Sequence, residues 1–167
     1  MNAYNRDLAI NAENEKRFEP IDPAKWYVLE SGEGVTLLAS GSMVKATRQA
    51  LPALKEQGIN PTLINARPAK PLDTALLQEV ISEPYGKMVT SEEGCLSGGF
   101  GAAVLEWAAR FRLTQPGARQ SEIACIGIPD RFVEQGSRSI LLDANGLSPG
   151  EDSAVRLRVC PFRQLAR

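Results

Sequence analysis

The sequence predicts an α/β domain in three layers, with a largely parallel sheet of about five strands held between helices. Three observations predict it. Val35 to Ala39 and Ile123 to Ile128 are short, nearly continuous apolar runs, the mark of strands buried on both faces. Between such runs the apolar residues recur at helical spacing, and the two patterns alternate along the chain. At 167 residues, 43% hydrophobic and 23% charged, the chain is long enough to bury one core without metal or disulfide staples.

Residues 1–20 are polar and end at Pro20 and Pro23, so they read as an arm or linker remnant, with the folded domain spanning 21–159 and a tail over 160–167. Trp26 to Leu29 is the first strand, closed by Ser31-Gly32-Glu33-Gly34, and Val35 to Ala39 is the second. Met43, Ala46, Ala50, Leu51 and Leu54 then form the apolar stripe of a helix, with Ser42 as its cap and Gly58 as its stop. Pro52 lies inside that helix and costs about 3 kcal/mol there, which predicts a kink or an early end. Thr62 to Asn65 is the third strand. Asp73 caps a helix carrying Leu76, Leu77, Val80 and Ile81, and Lys87 to Ser91 is the fourth strand. Gly98, Gly99 and Gly101 precede a helix with Val104, Leu105, Ala108 and Phe111 on one face, and Ile123 to Ile128 closes the sheet. Short helices are expected over Ser137 to Ala144, stopped by Asn145-Gly146, and around Gly150 to Val159.

Composition narrows the function classes. With 19 basic and 20 acidic residues the net charge is −1, which supplies no basic field for nucleic acid or an anionic membrane. Cys95, Cys125 and Cys160 form no CxxC pair, and the chain has no histidine, so no zinc site is expected. The N-terminus lacks a secretory apolar core, and no stretch reaches the roughly 18 apolar residues of a spanning helix. The expectation is a water-soluble cytoplasmic protein with free thiols.

Four segments carry candidate chemistry. Ser97 to Gly101 lies between strand and helix, where backbone N–H groups and the helix dipole suit an anion. The segment lacks the lysine and hydroxyl of a P-loop, so a tight turn with close helix packing is the favoured reading of Gly98, Gly99 and Gly101. Glu92 and Glu93 stand at a strand end, a usual ligand position in such sheets. Neighbours on an extended chain point to opposite faces, so one of them at most enters a given site, and a lone carboxylate there more often caps a helix or pairs with an arginine. In the loop from Asn65 to Asp73, Arg67 and Lys70 are suited to hold a phosphate, although a structural ion pair for Arg67 and a capping role for Asp73 are the preferred reading. Asp130 and Arg131, in the run from Pro129 to Ser137, place both charge signs beside Phe132 and suggest a contact surface.

In order, the strings ASGSMV (39–44), NARPAKPLD (65–73), SEEGCLSGGFG (91–101) and GIPDRFVEQGSR (127–138) resemble the last domain of 1-deoxy-D-xylulose-5-phosphate synthases, in the transketolase superfamily. The first three are shared with transketolases and 2-oxoacid dehydrogenase β-subunits, and the fourth narrows the resemblance to the synthase. It implies a three-layer, mixed sheet of about five strands with the first antiparallel, which agrees with a Leu29 to Val35 turn too short for a parallel crossover. It also implies a thiamine-diphosphate-dependent condensation of pyruvate with glyceraldehyde 3-phosphate, feeding isoprenoid and thiamine biosynthesis. Family members hold thiamine diphosphate and magnesium through a Gly-Asp-Gly motif in other domains. That motif and every histidine are missing here, so no catalytic or cofactor-binding residue is carried over. The expected role is a non-catalytic C-terminal domain or subunit in a homo- or hetero-oligomer, with a partner chain carrying the pyrophosphate- and pyrimidine-binding domains. An independent phosphate-binding or interaction module, or a remnant without function, is the alternative.

Overall fold

The computed structural model describes residues 22–82, 87–115 and 122–148. The N-terminal arm, the tail and the helix expected around Gly150 to Val159 lie outside them. Nine elements follow in the order β1 (Tyr27–Glu30), β2 (Val35–Ala39), α1 (Met43–Lys55), β3 (Thr62–Asn65), α2 (Thr74–Ser82), β4 (Lys87–Cys95), α3 (Phe100–Thr114), β5 (Glu122–Ile128) and α4 (Arg138–Ala144). The five strands form one mixed sheet in the order β1-β3-β2-β4-β5. β1 is antiparallel to β3, and all other pairs are parallel.

The sheet divides its side chains strictly by register. Leu38, Ile64 and Met88 point to one face, where Leu77, Val80 and Ile81 of α2 and Phe100, Val104 and Ala108 of α3 cover them. Leu37, Ala39, Leu63 and Val89 point to the other, beneath Leu51 and Leu54 of α1. A smaller cluster of Met43, Ala46, Leu142 and Leu147 fastens α4 beside α1 on that second face. Strands β2, β3 and β4 are thus sealed on both sides, which is why their sequences run apolar with little alternation. Trp26 completes the first face, its ring edge-on to Phe100 at a centroid distance of 5.6 Å.

β1 runs antiparallel as expected, and its partner is β3, which inserts between β1 and β2. The connecting turn lies over the start of β3, with Gly32 N donating to Thr62 Oγ1 at 3.0 Å and Glu33 N to the Asn60 carbonyl at 2.7 Å. Several other expectations are corrected. Pro52 does not end α1, which continues to Lys55. Leu51 and Leu54 on either side of it are buried against the sheet, and packing of that stripe outweighs the one backbone bond that proline removes. Ser42 sits at the N-cap position of α1 without capping it, because its hydroxyl is drawn to Glu93. β4 runs to Cys95 rather than stopping at Ser91, with a register irregularity between those residues. On α3, Leu105 is 44% exposed while Val104 and Ala108 are buried, so the buried stripe is centred one residue away from it.

Candidate functional site

All the segments singled out by sequence gather at one edge of the sheet, the C-terminal ends of the parallel strands, because each lies in the last residues of β4 or follows β3, β4 or β5 directly. At the end of β4 the alternation of the pleat persists, so Thr90 and Glu92 face α3 while Ser91 and Glu93 face α1 and α4.

Glu92 is buried, and its carboxylate lies across the start of α3. Oε2 accepts from the Phe100 N–H at 2.8 Å and Oε1 from the Gly101 N–H at 2.8 Å. A helix begins with backbone donors that lack intrahelical partners, and its dipole favours negative charge there. Gly99, at the N-cap, has no side chain with which to answer them, and a Cβ at that position would collide with the Cys95 carbonyl and the Glu92 carboxylate. The same close approach holds one turn in, where a Cβ on Gly101 would lie 2.6 Å from Thr90 Oγ1 and 2.8 Å from Cys125 Sγ. The glycines therefore let α3 settle onto β4 and β5. The anion received by its N-terminus is the chain's own Glu92 carboxylate. Gly98 supplies the turn before it, at φ +73°.

Glu93 faces the opposite layer. Arg138, at the start of α4, donates from Nε to Oε1 at 2.8 Å and from Nη2 to Oε2, and the Ser42 hydroxyl donates to Oε2 as well. The guanidinium holds the Glu93 carboxyl below the usual glutamate range against the opposing effect of partial burial. One side chain thereby joins the end of β4 to the starts of α1 and α4.

Asp73 does cap α2, its Oδ1 accepting from Leu76 N at 3.0 Å, and its other oxygen accepts the Trp26 N–H at 2.9 Å. The Trp26 indole donates to the Pro68 carbonyl at 2.7 Å, so the loop after β3 is fastened to the entry of β1. Both Arg67-Pro68 and Lys70-Pro71 are cis. Arg67 and Lys70 are exposed, and the ion pair expected for Arg67 is not formed among the described residues. Past β5, Arg131 donates to Asn145 Oδ1 at 3.3 Å, and the exposed Asp130 lies 3.8 Å from the Cys95 thiol. Cys125, between β5 and α3, has its thiol pushed up by burial.

The geometry brings Glu92 together with Gly99 and Gly101, and Glu93 together with two residues that sequence reasoning missed as its partners, Ser42 and Arg138. A glycine at the N-cap position is the one local signal that a remote side chain must cap α3. Nothing in the sequence pairs Arg138 with Glu93 across 45 residues. Chemically, both oxygens of Glu92 are committed to backbone donors and Glu93 to a guanidinium.

The sheet order and this edge define a transketolase-type C-terminal domain, and the chain belongs to that family, described as transketolase, C-terminal domain, which it matches over residues 24–151. Within it, the chain is homologous to the C-terminal region of 1-deoxy-D-xylulose-5-phosphate synthases. It is 45% identical to that of Gloeobacter violaceus over 132 residues, which are 79% of this chain and 20% of that protein. It is 46% identical to that of a Cyanothece species over 123 residues, 74% of this chain and 18% of that protein. Among solved structures, a split gene transketolase described as an inactive beta4 tetramer superposes with a TM-score of 0.70 at 28% identity, covering 88% of this chain and 44% of that one. The chain spans about a fifth of the length of the curated relatives it matches.

Proposed function

We propose that this chain is the C-terminal domain or subunit of a 1-deoxy-D-xylulose-5-phosphate synthase, acting in the cytoplasm with a polypeptide that carries the pyrophosphate- and pyrimidine-binding domains. The observation that carries this reading is the identity of 45% over 132 residues to a synthase of which the match is only 20%. The assembled enzyme condenses pyruvate with glyceraldehyde 3-phosphate and releases carbon dioxide. Thiamine diphosphate and magnesium belong to the other domains, whose residues form the reacting site. The contribution of this chain is mechanical. Glu92 and Glu93 hold the two helical layers on the sheet, and Asp73 holds its first strand, so a rigid body is presented to the catalytic domains.

The test is complementation in trans. The Gloeobacter violaceus synthase, produced without its matched fifth, is mixed with this chain and assayed for 1-deoxy-D-xylulose 5-phosphate. The expected outcome is product formation that depends on both polypeptides and stays absent with either alone. A mixture no more active than the truncated synthase would refute the proposal.

A further inference from the structure

The apolar side chains of α1, α2 and α3 are mostly turned onto the sheet, whereas the segment after β5 turns three outward. Phe132 is fully exposed, Val133 is 38% exposed, and Ile140, on the first turn of α4, is 65% exposed. This segment is held in place. Arg131 N donates to the Pro129 carbonyl at 2.8 Å, the Arg131 guanidinium reaches Asn145, and Arg138 fastens α4 to Glu93. A phenyl ring fixed in water on a pinned loop has the form of an interface anchor, an aromatic residue flanked by a polar rim.

The rim tells what covers it. Arg138 is committed to Glu93 and Arg131 to Asn145, while the carboxylates of Asp130 and Glu134 have no cationic partner among the described residues. Asn145 is neutral and leaves the charge of Arg131 in place, so the patch is apolar at its centre and carries two carboxylates and one guanidinium at its edge, an excess of negative charge. That excess disfavours phosphate-bearing partners, nucleic acid or anionic lipid. Four-fifths of the length of the relatives lies outside this chain, and that polypeptide needs a surface here.

We infer that the loop from Pro129 to Gly136, with Phe132 as its anchor, docks into an apolar pocket rimmed by lysine or arginine on the polypeptide that supplies the rest of the synthase. The inference rests on the proposed function above. Phe132 fills the pocket, and Asp130 and Glu134 meet the cations around it.

The experiment measures binding of the full chain to the Gloeobacter violaceus synthase lacking its matched fifth, by calorimetry at low and high salt. Phe132→Ser is expected to weaken the dissociation constant about 30-fold. Glu134→Lys is expected to weaken it several-fold at low salt only. Leu113→Ser, at another exposed apolar residue near the far end of α3, is expected to change it less than about threefold. All three positions are exposed, so circular dichroism should show unchanged folding. Wild-type binding that Phe132→Ser leaves intact would overturn the docking site and leave the proposed function standing, whereas no binding by the wild-type chain would overturn both. A self-association lost in Phe132→Ser would overturn the choice of occupant. As a second measurement, this chain replaces the matched fifth of the same synthase in one polypeptide. Phe132→Ser should then lower its melting temperature more than Leu113→Ser, and equal melting of the two would overturn the inference.

Discussion

Glu92 and Glu93 are the same residue type, one peptide bond apart, and they work in opposite ways. Glu92 points to the α2/α3 face, is buried, and meets only backbone N–H groups that the fold of α3 has already aligned. Glu93 points to the α1/α4 face and meets a long arginine side chain that is 60% exposed. Aligned donors in a dry setting lose little entropy on bonding and cannot be replaced by water. An arginine at the surface gives up rotamer freedom for a pair that solvent screens. The contrast shows that the surroundings of a carboxylate decide its worth, more than its formal charge or the number of its bonds.

Substitutions sharpen the contrast. The largest effect is expected from Glu92→Ala, which strands two buried N–H groups at the start of α3 and should cost about 3 kcal/mol in urea unfolding, with Glu92→Gln recovering part of it. An alanine variant as stable as wild type would show that water can replace the carboxylate. Next, Gly99→Ala pushes a methyl group into the Glu92 carboxylate and the Cys95 carbonyl and should cost about 2 kcal/mol, read as a lowered melting temperature.

Glu93→Gln is expected to cost about 1 kcal/mol or less near pH 7. Its pH dependence separates the two residues. Because the folded-state pKa of Glu93 is lowered, its contribution is fully present above the ordinary glutamate range and is lost as pH falls through the folded value. Wild type and Glu93→Gln should therefore converge in stability toward strong acid, and a gap constant with pH would refute the assignment. The smallest perturbation is chemical. Cys95 is exposed and Cys125 is partly buried with its thiol pushed up, so peptide mapping after iodoacetamide treatment should find Cys95 labelled well before Cys125.

The element order was legible because each buried strand and each helix stripe writes its own period. Val35 to Ala39 and Thr62 to Asn65 match the observed strands residue for residue. The capping role of Asp73 was legible because a cap lies beside the helix it serves. What escaped depends on distance along the chain. Glu92 lies eight residues before Phe100, so no local rule assigns it to α3. Ser42 has the identity and position of a cap, and only the arrival of Glu93 from 51 residues away diverts its hydroxyl. Leu105 fits the helical period of the buried stripe, and only the position of β4 and β5 beneath α3 decides which side of that stripe stays wet.

The bond between Asp73 and the Trp26 amide also has a mechanical consequence. β1 is an edge strand fastened by antiparallel pairing to β3, while Trp26, the residue just ahead of it, is tied to the start of α2. Tension applied from the residues ahead of Trp26 would load that carboxylate and the indole–Pro68 bond before any strand pair of the sheet. The domain thus carries a strain relief at its entrance, and a chain with Asp73→Ala should yield at lower force when pulled from that side.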